Sequence, residues 1–322
     1  MTLRVPPGAG EILSRITRTI KLGRPHHAYL IVAPSLHDGT QISLWMAAAL
    51  NCTTNPGTPC GSCSSCRRFI HGTHPDLLDL EPDGRFIKVA GVRELVAQLS
   101  YQRHDARYRV ARILGAEHLR VEAANALLKS LEEPPEGTVF EVVTAKEPAL
   151  LSTIRSRCQK LRLGPVPEAV LARWLVDEHG VPEAEALHRA RVAAGSTERA
   201  LAATPDYLEQ RRERLLQVLA AWRSPEPARL KLAAELAADK DEVQELARDL
   251  YSLCRDAWAI RTGRDISLVD PEAARTIDQA FPGARLERVS DLLERFDDLM
   301  LRNVQTRSIV ETLLLLDASG AH

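Results

Sequence analysis

The chain has 322 residues, which is more than one hydrophobic core usually holds, so we expect two or three domains. Apolar residues make up 45% and charged residues 26%, as in ordinary globular proteins, and no apolar run reaches the roughly 18 residues of a membrane helix. The formal net charge of −1 provides no bulk attraction to DNA or membranes, and because no signal-peptide pattern is present we expect a cytoplasmic protein with reduced thiols.

The first predicted elements have the layout of a phosphate-binding P-loop: a buried strand at residues 28–32, a loop at residues 33–40 and a helix from Gln41. Such a loop needs glycines, which turn backbone N–H groups toward the phosphates, and a lysine that binds their charge. This loop has no lysine. The residues that remain of the pattern are Pro34, Gly39 and Thr40. We therefore expect a degenerate P-loop without productive hydrolysis, whose helix N-terminus still attracts anions.

Four cysteines come next, in the segment NCTTNPGTPCGSCSSCRRF: Cys52, Cys60, Cys63 and Cys66. Their spacing and the small residues between them allow the backbone to wrap around one ion, and four thiolates suit a tetrahedral Zn²⁺. A disulfide pair, free thiols and a redox CxxC motif are the alternatives, of which a reducing compartment disfavours the first. Because four protein ligands leave no open coordination position, we predict a structural zinc site.

The middle of the chain alternates strands and helices and is locally basic. We predict strands at residues 77–80 and 108–114 and a helix at residues 92–99. His74 is expected in a turn or cap, because the cysteines already complete a metal site. Five arginines make this region basic; most of them are expected on the surface, solvated or paired, and a contact with nucleic acid stays open for them. They are Arg103, Arg107, Arg109, Arg112 and Arg120.

An ATPase of the P-loop class carries two acids at the end of the strand that we predict at residues 108–114, one for Mg²⁺ and one for the attacking water. Leu114 and Gly115 stand at these positions, and the first acid is Glu117. The lysine of the loop and both acids of the strand are thus missing together. We predict that this site does not hydrolyse ATP.

The next segment ends in an arginine that no packing argument explains. A helix from Val121 stops at Pro134-Pro135, and residues 138–144 form another strand. The triplet Ser156-Arg157-Cys158 follows after a turn.

Linker signals at residues 164–167 and 204–205 then divide the chain. The predicted domains are residues 1–165 with the cysteine module inserted at about 52–66, a lid of three short helices at residues 166–205, and a helical domain at residues 206–322.

Five segments together resemble the delta-prime family of bacterial DNA polymerase III clamp-loader subunits, within the AAA+ proteins. The segments are residues 27–30 (HAYL), the four-cysteine module, residues 72–76 (GTHPD), residues 124–135 (ANALLKSLEEPP) and residues 156–158 (SRC). The similarity covers residues 10 to 205 in order, whereas the tail is similar only in composition and length. The resemblance implies an α/β AAA+-type P-loop NTPase domain with a parallel sheet, a small helical lid and an all-α C-terminal collar for oligomerisation.

The resemblance also implies a function. The family supports ATP-driven loading of the sliding clamp onto primed DNA as a component of the DNA polymerase III holoenzyme, with gamma/tau subunits, the delta subunit, the clamp and primer–template DNA as partners. Residues 156–158 match its SRC motif, so Arg157, between Ser156 and Cys158, is implied to be an arginine finger for an adjacent gamma/tau subunit. The four cysteines match its zinc ligands. Gamma/tau keeps the loop lysine and both acids, so their loss selects the non-hydrolysing subunit, which is no enzyme by itself.

One departure and two other functions remain. Active members carry an arginine three positions after the glycine that matches Gly195, whereas this chain has Glu198 there and Arg199 one position later. The resemblance therefore does not carry a nucleotide contact over to this helix.

Two other functions stay open as alternatives. An autonomous AAA+ ATPase with an atypical P-loop would hydrolyse ATP as a lone chain. A zinc-dependent nucleic-acid binder would show salt-sensitive affinity for DNA.

Overall fold

The computed structural model describes residues 5–264, 270–281, 283–301 and 304–316. The chain forms two compact units, Met1–Leu201 and Ala202–His322. The finer division into three domains stays a prediction, and its outermost residues, 1–4 and 317–322, lie outside the described residues.

The described part of the first unit contains a parallel sheet of five strands in the order β2-β3-β4-β1-β5. The strands are β1 Ala28–Val32, β2 Leu77–Leu80, β3 Arg109–Leu114, β4 Thr138–Thr144 and β5 Gln159–Arg162. Strands β1, β3 and β4 are buried along their whole length, because helices cover both faces of the sheet. All strands run in one direction, so their carboxyl ends share one edge.

The helices that begin in the first unit are α1 Gly10–Lys21, α2 Leu36–Asn51, α3 Ser64–Ile70, α4 Val89–Leu99, α5 Val121–Glu132, α6 Ser152–Arg155, α7 Glu168–His179, α8 Glu183–Val192 and α9 Thr197–Ala202. On one face of the sheet an apolar layer includes Ile16 of α1 and Met46 of α2. On the other face a second layer includes Leu95 of α4 and Leu127 of α5. Helices α7, α8 and α9 have a small core of their own.

The predicted loop at residues 33–40 was too long, because α2 begins at Leu36 and not at Gln41. Ser35 caps this helix: its backbone is extended, and its Oγ accepts the N–H of Asp38 at 3.1 Å. Gly39 therefore lies inside the first turn of α2. A Cβ at this position would come within 2.6 Å of Val143 Cγ1, so the glycine lets α2 pack closely against β4.

The described residues of the second unit contain helices and no strand. The helices are α10 Pro205–Ala221, α11 Glu226–Leu236, α12 Lys240–Thr262, α13 Pro271–Ala280, α14 Gly283–Glu294, α15 Phe296–Leu301 and α16 Thr306–Leu315. The core of this unit is apolar. The Trp222 ring packs edge-on against the Phe281 ring, with the ring centroids 4.6 Å apart, and its Nε1 donates to the Leu313 carbonyl at 3.1 Å. Among all the helices described, none has both the length and the apolar character needed to cross a bilayer.

Candidate functional site

Arg157 lies on the surface of the first unit, directly after α6. Its side chain is 32% exposed. The guanidinium Nε donates to Glu132 Oε1 at 2.6 Å, Nη2 forms an ion pair with the same carboxylate, and Nη1 donates to the Thr153 carbonyl at 2.8 Å. The packing of α6 beside the end of α5 therefore determines where this arginine sits. The structure places a charged, planar guanidinium at the rim of the unit.

The residues on either side of Arg157 shape the turn. Ser156 ends α6 and its Oγ donates to the Thr153 carbonyl at 3.2 Å. Cys158 packs against the apolar layer below α5, and burial raises the pKa of its thiol to about 12. A thiol whose pKa is raised in this way is a weak nucleophile at neutral pH, so packing is the role that the structure shows for Cys158. Both residues position the loop that carries Arg157.

The start of α2 already holds a carboxylate. Asp38 is fully buried, and its Oδ2 accepts the Ser35 hydroxyl at 2.9 Å. The hydroxyl of Thr197, at the start of α9, donates to Oδ1. The N-terminus of a helix is where a P-loop binds phosphate, because free N–H groups and the helix dipole favour negative charge there. In this chain the carboxylate of Asp38 supplies the negative charge that the helix N-terminus favours.

The carboxyl end of β3 lacks the two acids of an ATPase. Leu114 is buried at the end of β3, and Gly115 follows with a positive φ of 68°. Glu117 is the next acid, but its Oε2 accepts the Thr144 hydroxyl at 2.7 Å and its Oε1 accepts the Ala145 N–H at 3.3 Å. This carboxylate therefore fastens the loops after β3 and β4 to each other. Neither Leu114 nor Gly115 offers a group that could bind Mg²⁺ as an acid does.

The structure brings the four predicted cysteines together where α2 ends and α3 begins. Cys52 follows the last turn of α2, and Cys63 caps α3. The four sulfur atoms lie within 4.8 Å of one another, and the Sγ atoms of Cys60 and Cys66 are 4.0 Å apart. All six cysteines of the chain are free thiols. The four-cysteine cluster can hold one metal ion.

The donor set of this cluster fits zinc. Zn–S bonds of about 2.3 Å place the sulfurs of a tetrahedral site roughly 3.8 Å apart, close to the observed spacing. Backbone N–H groups already point at the sulfurs: that of Cys63 donates to Cys60 and that of Cys66 donates to Cys63, both at 3.3 Å. Hydrogen bonds, first of all from the Ser62 hydroxyl, lower the pKa of Cys60 to about 5. Such donors stabilise the thiolates that bind metal.

The GTHPD segment connects the cysteine module to the sheet. His74 is buried and stacks on Phe69 of α3 with ring centroids 4.1 Å apart, and its Nδ1 accepts the N–H of Asp76 at 3.1 Å. The buried carboxylate of Asp76 accepts the backbone N–H groups of residues 104–106. Arg109 donates to Asp76 and to four backbone carbonyls. The GTHPD motif therefore has a structural role: its buried contacts, here called the structural joint, attach α3 to residues 104–109.

A second group of ligand-type side chains lies in this joint. His74, Asp76 and Asp105 are close enough to surround an ion. However, Asp76 is already saturated with N–H donors, which lower its pKa against the opposing effect of burial, and the Arg109 guanidinium adjoins it. A cation would meet the positive charge of Arg109 and a buried carboxylate, that of Asp76, whose oxygens already accept several donors each. The arrangement does not fit a metal.

Known proteins share this chain's sequence over the sheet-containing unit. The sequence model of a family described as "DNA polymerase III, delta subunit" matches residues 8–167. DNA polymerase III subunit delta′ of Escherichia coli (strain K12) is 37% identical over 64% of this chain and 63% of its own length. The same subunit of Haemophilus influenzae is 34% identical over 70% of this chain and 69% of its own length. The chain belongs to the delta-prime family of DNA polymerase III.

The match to the E. coli delta-prime subunit spans somewhat less than two thirds of that protein. DNA polymerase III subunit tau of E. coli is also similar, at 36% identity over 61% of this chain and 31% of its own length. The structure confirms the predicted α/β unit with a parallel sheet, which is followed by a helical C-terminal region. The matched residues 8–167 include the four cysteines and Arg157.

A polar ladder of one exposed and two buried side chains crosses the sheet of this delta-prime family member beneath α2. Asp79, Arg112 and Glu141 are neighbours in register on β2, β3 and β4, and Arg112 Nε donates to Asp79 Oδ1 at 2.7 Å. Ser43 of α2 donates its hydroxyl to Glu141 Oε2, whereas Oε1 has no hydrogen-bond partner among the described residues. Burial raises the pKa of Glu141 to about 8.

This ladder makes stability depend on pH. The pKa of Glu141 is about 8 in the folded chain against an ordinary 4.5, so stability that is fully present below pH 4.5 is lost as the pH rises toward 8. We expect Glu141→Gln, which keeps an acceptor for Ser43, to raise the free energy of unfolding at pH 8 by on the order of 3 kcal/mol relative to wild type. Urea unfolding between pH 5 and 9 measures this, with the exposed Glu136→Gln as control. Parallel pH profiles of wild type and Glu141→Gln would contradict the assignment.

Some features of the site were not predicted from the sequence. Asp38, Thr197 and Glu132 were missed, and each acts through a contact between distant segments. Ser35 and Asp38 did offer a local signal, since a serine three residues before an acid is typical of a helix start. Most of the five arginines of the basic region were expected on the surface, and Arg103, Arg107 and Arg120 are exposed. Arg109 and Arg112 are instead buried and paired with aspartates of β2 or its preceding turn.

Proposed function

We propose that this chain is the non-hydrolysing delta-prime subunit of the DNA polymerase III clamp loader. In this role it supports ATP-driven loading of the sliding clamp onto primed DNA and gives Arg157 to the ATP site of a neighbouring gamma/tau subunit. One contrast carries the proposal. In the chain's own P-loop, the buried carboxylate of Asp38 occupies the first turn of the helix that would face a phosphate. At the rim of the unit, by contrast, the partly exposed guanidinium of Arg157 is suited to bind a phosphate.

The chemistry of a guanidinium suits the proposed role. A guanidinium is a planar cation with a rigid fork of N–H donors that matches phosphate oxygens. In phosphoryl transfer, negative charge builds up on the γ-phosphoryl oxygens, and an arginine supplied by a neighbour stabilises it. The chain provides no lysine at the P-loop and no acid at Leu114 or Gly115. Its contribution to ATP hydrolysis would therefore be made in another subunit's site.

The remaining parts take supporting roles. Cys52, Cys60, Cys63 and Cys66 would hold a structural zinc that fastens α2 to α3. The helical second unit would serve as the collar through which the subunits assemble. Gamma/tau and delta subunits would be direct partners, and the clamp and primer–template DNA would be reached through the complex. The similarity to subunit tau supports membership in that complex.

Co-purification with candidate gamma/tau and delta subunits tests the proposal, together with an ATPase assay of the lone chain. We expect a stable complex and no ATP turnover by the isolated chain above a buffer control. Hydrolysis by the lone chain would instead favour an autonomous ATPase with an atypical P-loop. Salt-sensitive DNA binding by the lone chain, without complex formation, would favour a nucleic-acid binder.

The role given to Asp38 leads to a stability prediction. We expect Asp38→Asn to lower the free energy of unfolding by about 1–2 kcal/mol, because it removes a charge-assisted acceptor at a helix N-terminus. Thr197→Val should cost less, and the two changes together should cost less than their sum, because they remove one shared contact. Urea unfolding of the four proteins gives the coupling. Strict additivity would show that Asp38 and Thr197 do not interact.

A further inference from the structure

In this structure the Glu132 carboxylate pairs with the Arg157 guanidinium. Its Oε1 accepts Nε at 2.6 Å and also pairs with Nη2, while Nη1 donates to the Thr153 carbonyl at 2.8 Å. All three guanidinium nitrogens are therefore engaged within the first unit. A phosphate bound through two parallel N–H groups has to displace at least one of these partners.

The pair is built so that it can be broken. The side chains of Arg157 and Glu132 are 32% and 48% exposed, so water screens their attraction. The carboxylate comes from the last turn of α5, and the arginine comes from the turn after α6. A nucleotide phosphate carries more negative charge than one carboxylate and competes well for the fork.

We propose that Glu132 is a positioning residue: it holds Arg157 in place until the phosphate of a neighbouring subunit's nucleotide takes the guanidinium over. This inference rests on the proposed function of Arg157 as a finger in trans. Glu132 and the phosphate compete for one cation, so the carboxylate weakens the neighbour's hold on ATP. Once the guanidinium has moved, Glu132 no longer touches it and does not affect the chemical step.

The competition gives a split between KM and kcat. In the assembled loader, we expect Glu132→Gln to lower the KM for ATP roughly two- to fivefold and to leave kcat unchanged, since an exposed ion pair has about this strength. Glutamine keeps the shape and an acceptor oxygen but has no charge. Glu132→Ala should act in the same direction. Glu136→Gln, which changes an exposed carboxylate four positions away, is the matched control and should leave both constants unchanged.

Steady-state ATPase measurements over a range of ATP concentrations test the proposal, with complex formation by each variant checked by gel filtration. An unchanged or higher KM in both Glu132 variants would overturn it. The proposal also fails if Glu132→Gln still lowers KM in a chain that also carries Arg157→Ala, because Arg157 is then not the mediator. If Arg157→Ala alone leaves the loader's ATPase normal, the finger function itself fails. A defect in Arg157→Ala with no effect of Glu132 changes removes only the role of Glu132.

Discussion

Replacement of Cys66 by serine is expected to release the metal from the four-cysteine cluster and to destabilise the first unit by several kcal/mol. Cys66 is fully buried, and its sulfur lies 4.0 Å from that of Cys60, so a serine would leave three thiolates around a gap at the centre of the module. The binding free energy of a structural zinc contributes directly to folding, by about 10–16 kcal/mol in isolated zinc-finger peptides. Without the metal, the first unit is expected to keep part of its stability, because α2 and α3 also pack against the apolar layer of the sheet.

Elemental analysis and thermal unfolding measure both effects. Wild type should contain one zinc per chain, and Cys66→Ser should contain almost none and unfold at a lower temperature. Cys254→Ser is the matched control: this thiol lies buried in α12 of the second unit and belongs to none of the groups of metal-ligand side chains among the described residues. Retention of a full zinc in Cys66→Ser would disprove the assignment of this cysteine. Absence of zinc from the wild type would disprove the site.

Replacement of Arg157 by alanine is expected to have the largest effect on activity. In the assembled loader, hydrolysis in the adjacent gamma/tau site should fall by roughly 10³-fold, because the charge that develops on the γ-phosphoryl group loses its counter-charge. Folding and zinc content should be unchanged, since the side chain is at the rim and contacts only Glu132 and Thr153 in the hydrogen bonds and ion pairs described. Arg157→Lys keeps the charge but loses the planar fork, and we expect an intermediate rate.

A single-turnover ATPase assay on purified complexes measures the rate of the affected site. Arg162→Ala is the matched control, because Arg162 is likewise an exposed arginine paired with one carboxylate, that of Glu147, and it belongs to the neighbouring strand β5. Its rate should equal that of wild type. Normal hydrolysis by an intact Arg157→Ala complex would show that this arginine is not the finger.

The sheet could be predicted because its strands are unusually simple. Residues 28–32, 109–114 and 138–144 are buried on both faces, so their sequences read as short apolar runs between turn signals. Strand β5 was missed because its sequence, QKLR, forms an edge strand with a single buried residue, Leu161. Helix α3 was missed because it is short and polar within the cysteine module. Pattern alone does not identify elements that tertiary contacts stabilise.

The two halves of the candidate site differ in how far they could be predicted. The cysteines are close in sequence, so their spacing alone indicates a common ion, and the structure brings them together. Arg157 stood out through its motif, but its partner Glu132 is 25 positions away, and Thr197 is 159 positions from Asp38. Such pairs depend on how α5, α6 and α9 pack. No local periodicity encodes them.

The binding of a transition-state mimic tests the central claim most directly. ADP with aluminium fluoride imitates the transferring γ-phosphoryl group, and a group that acts in the transition state must bind it more tightly than it binds ADP. We expect the loader with wild-type chain to bind this mimic at least about 100-fold more tightly than the loader with Arg157→Ala, while both bind ADP alone equally well. Equal affinities of the two complexes for the mimic would contradict an arginine finger in trans.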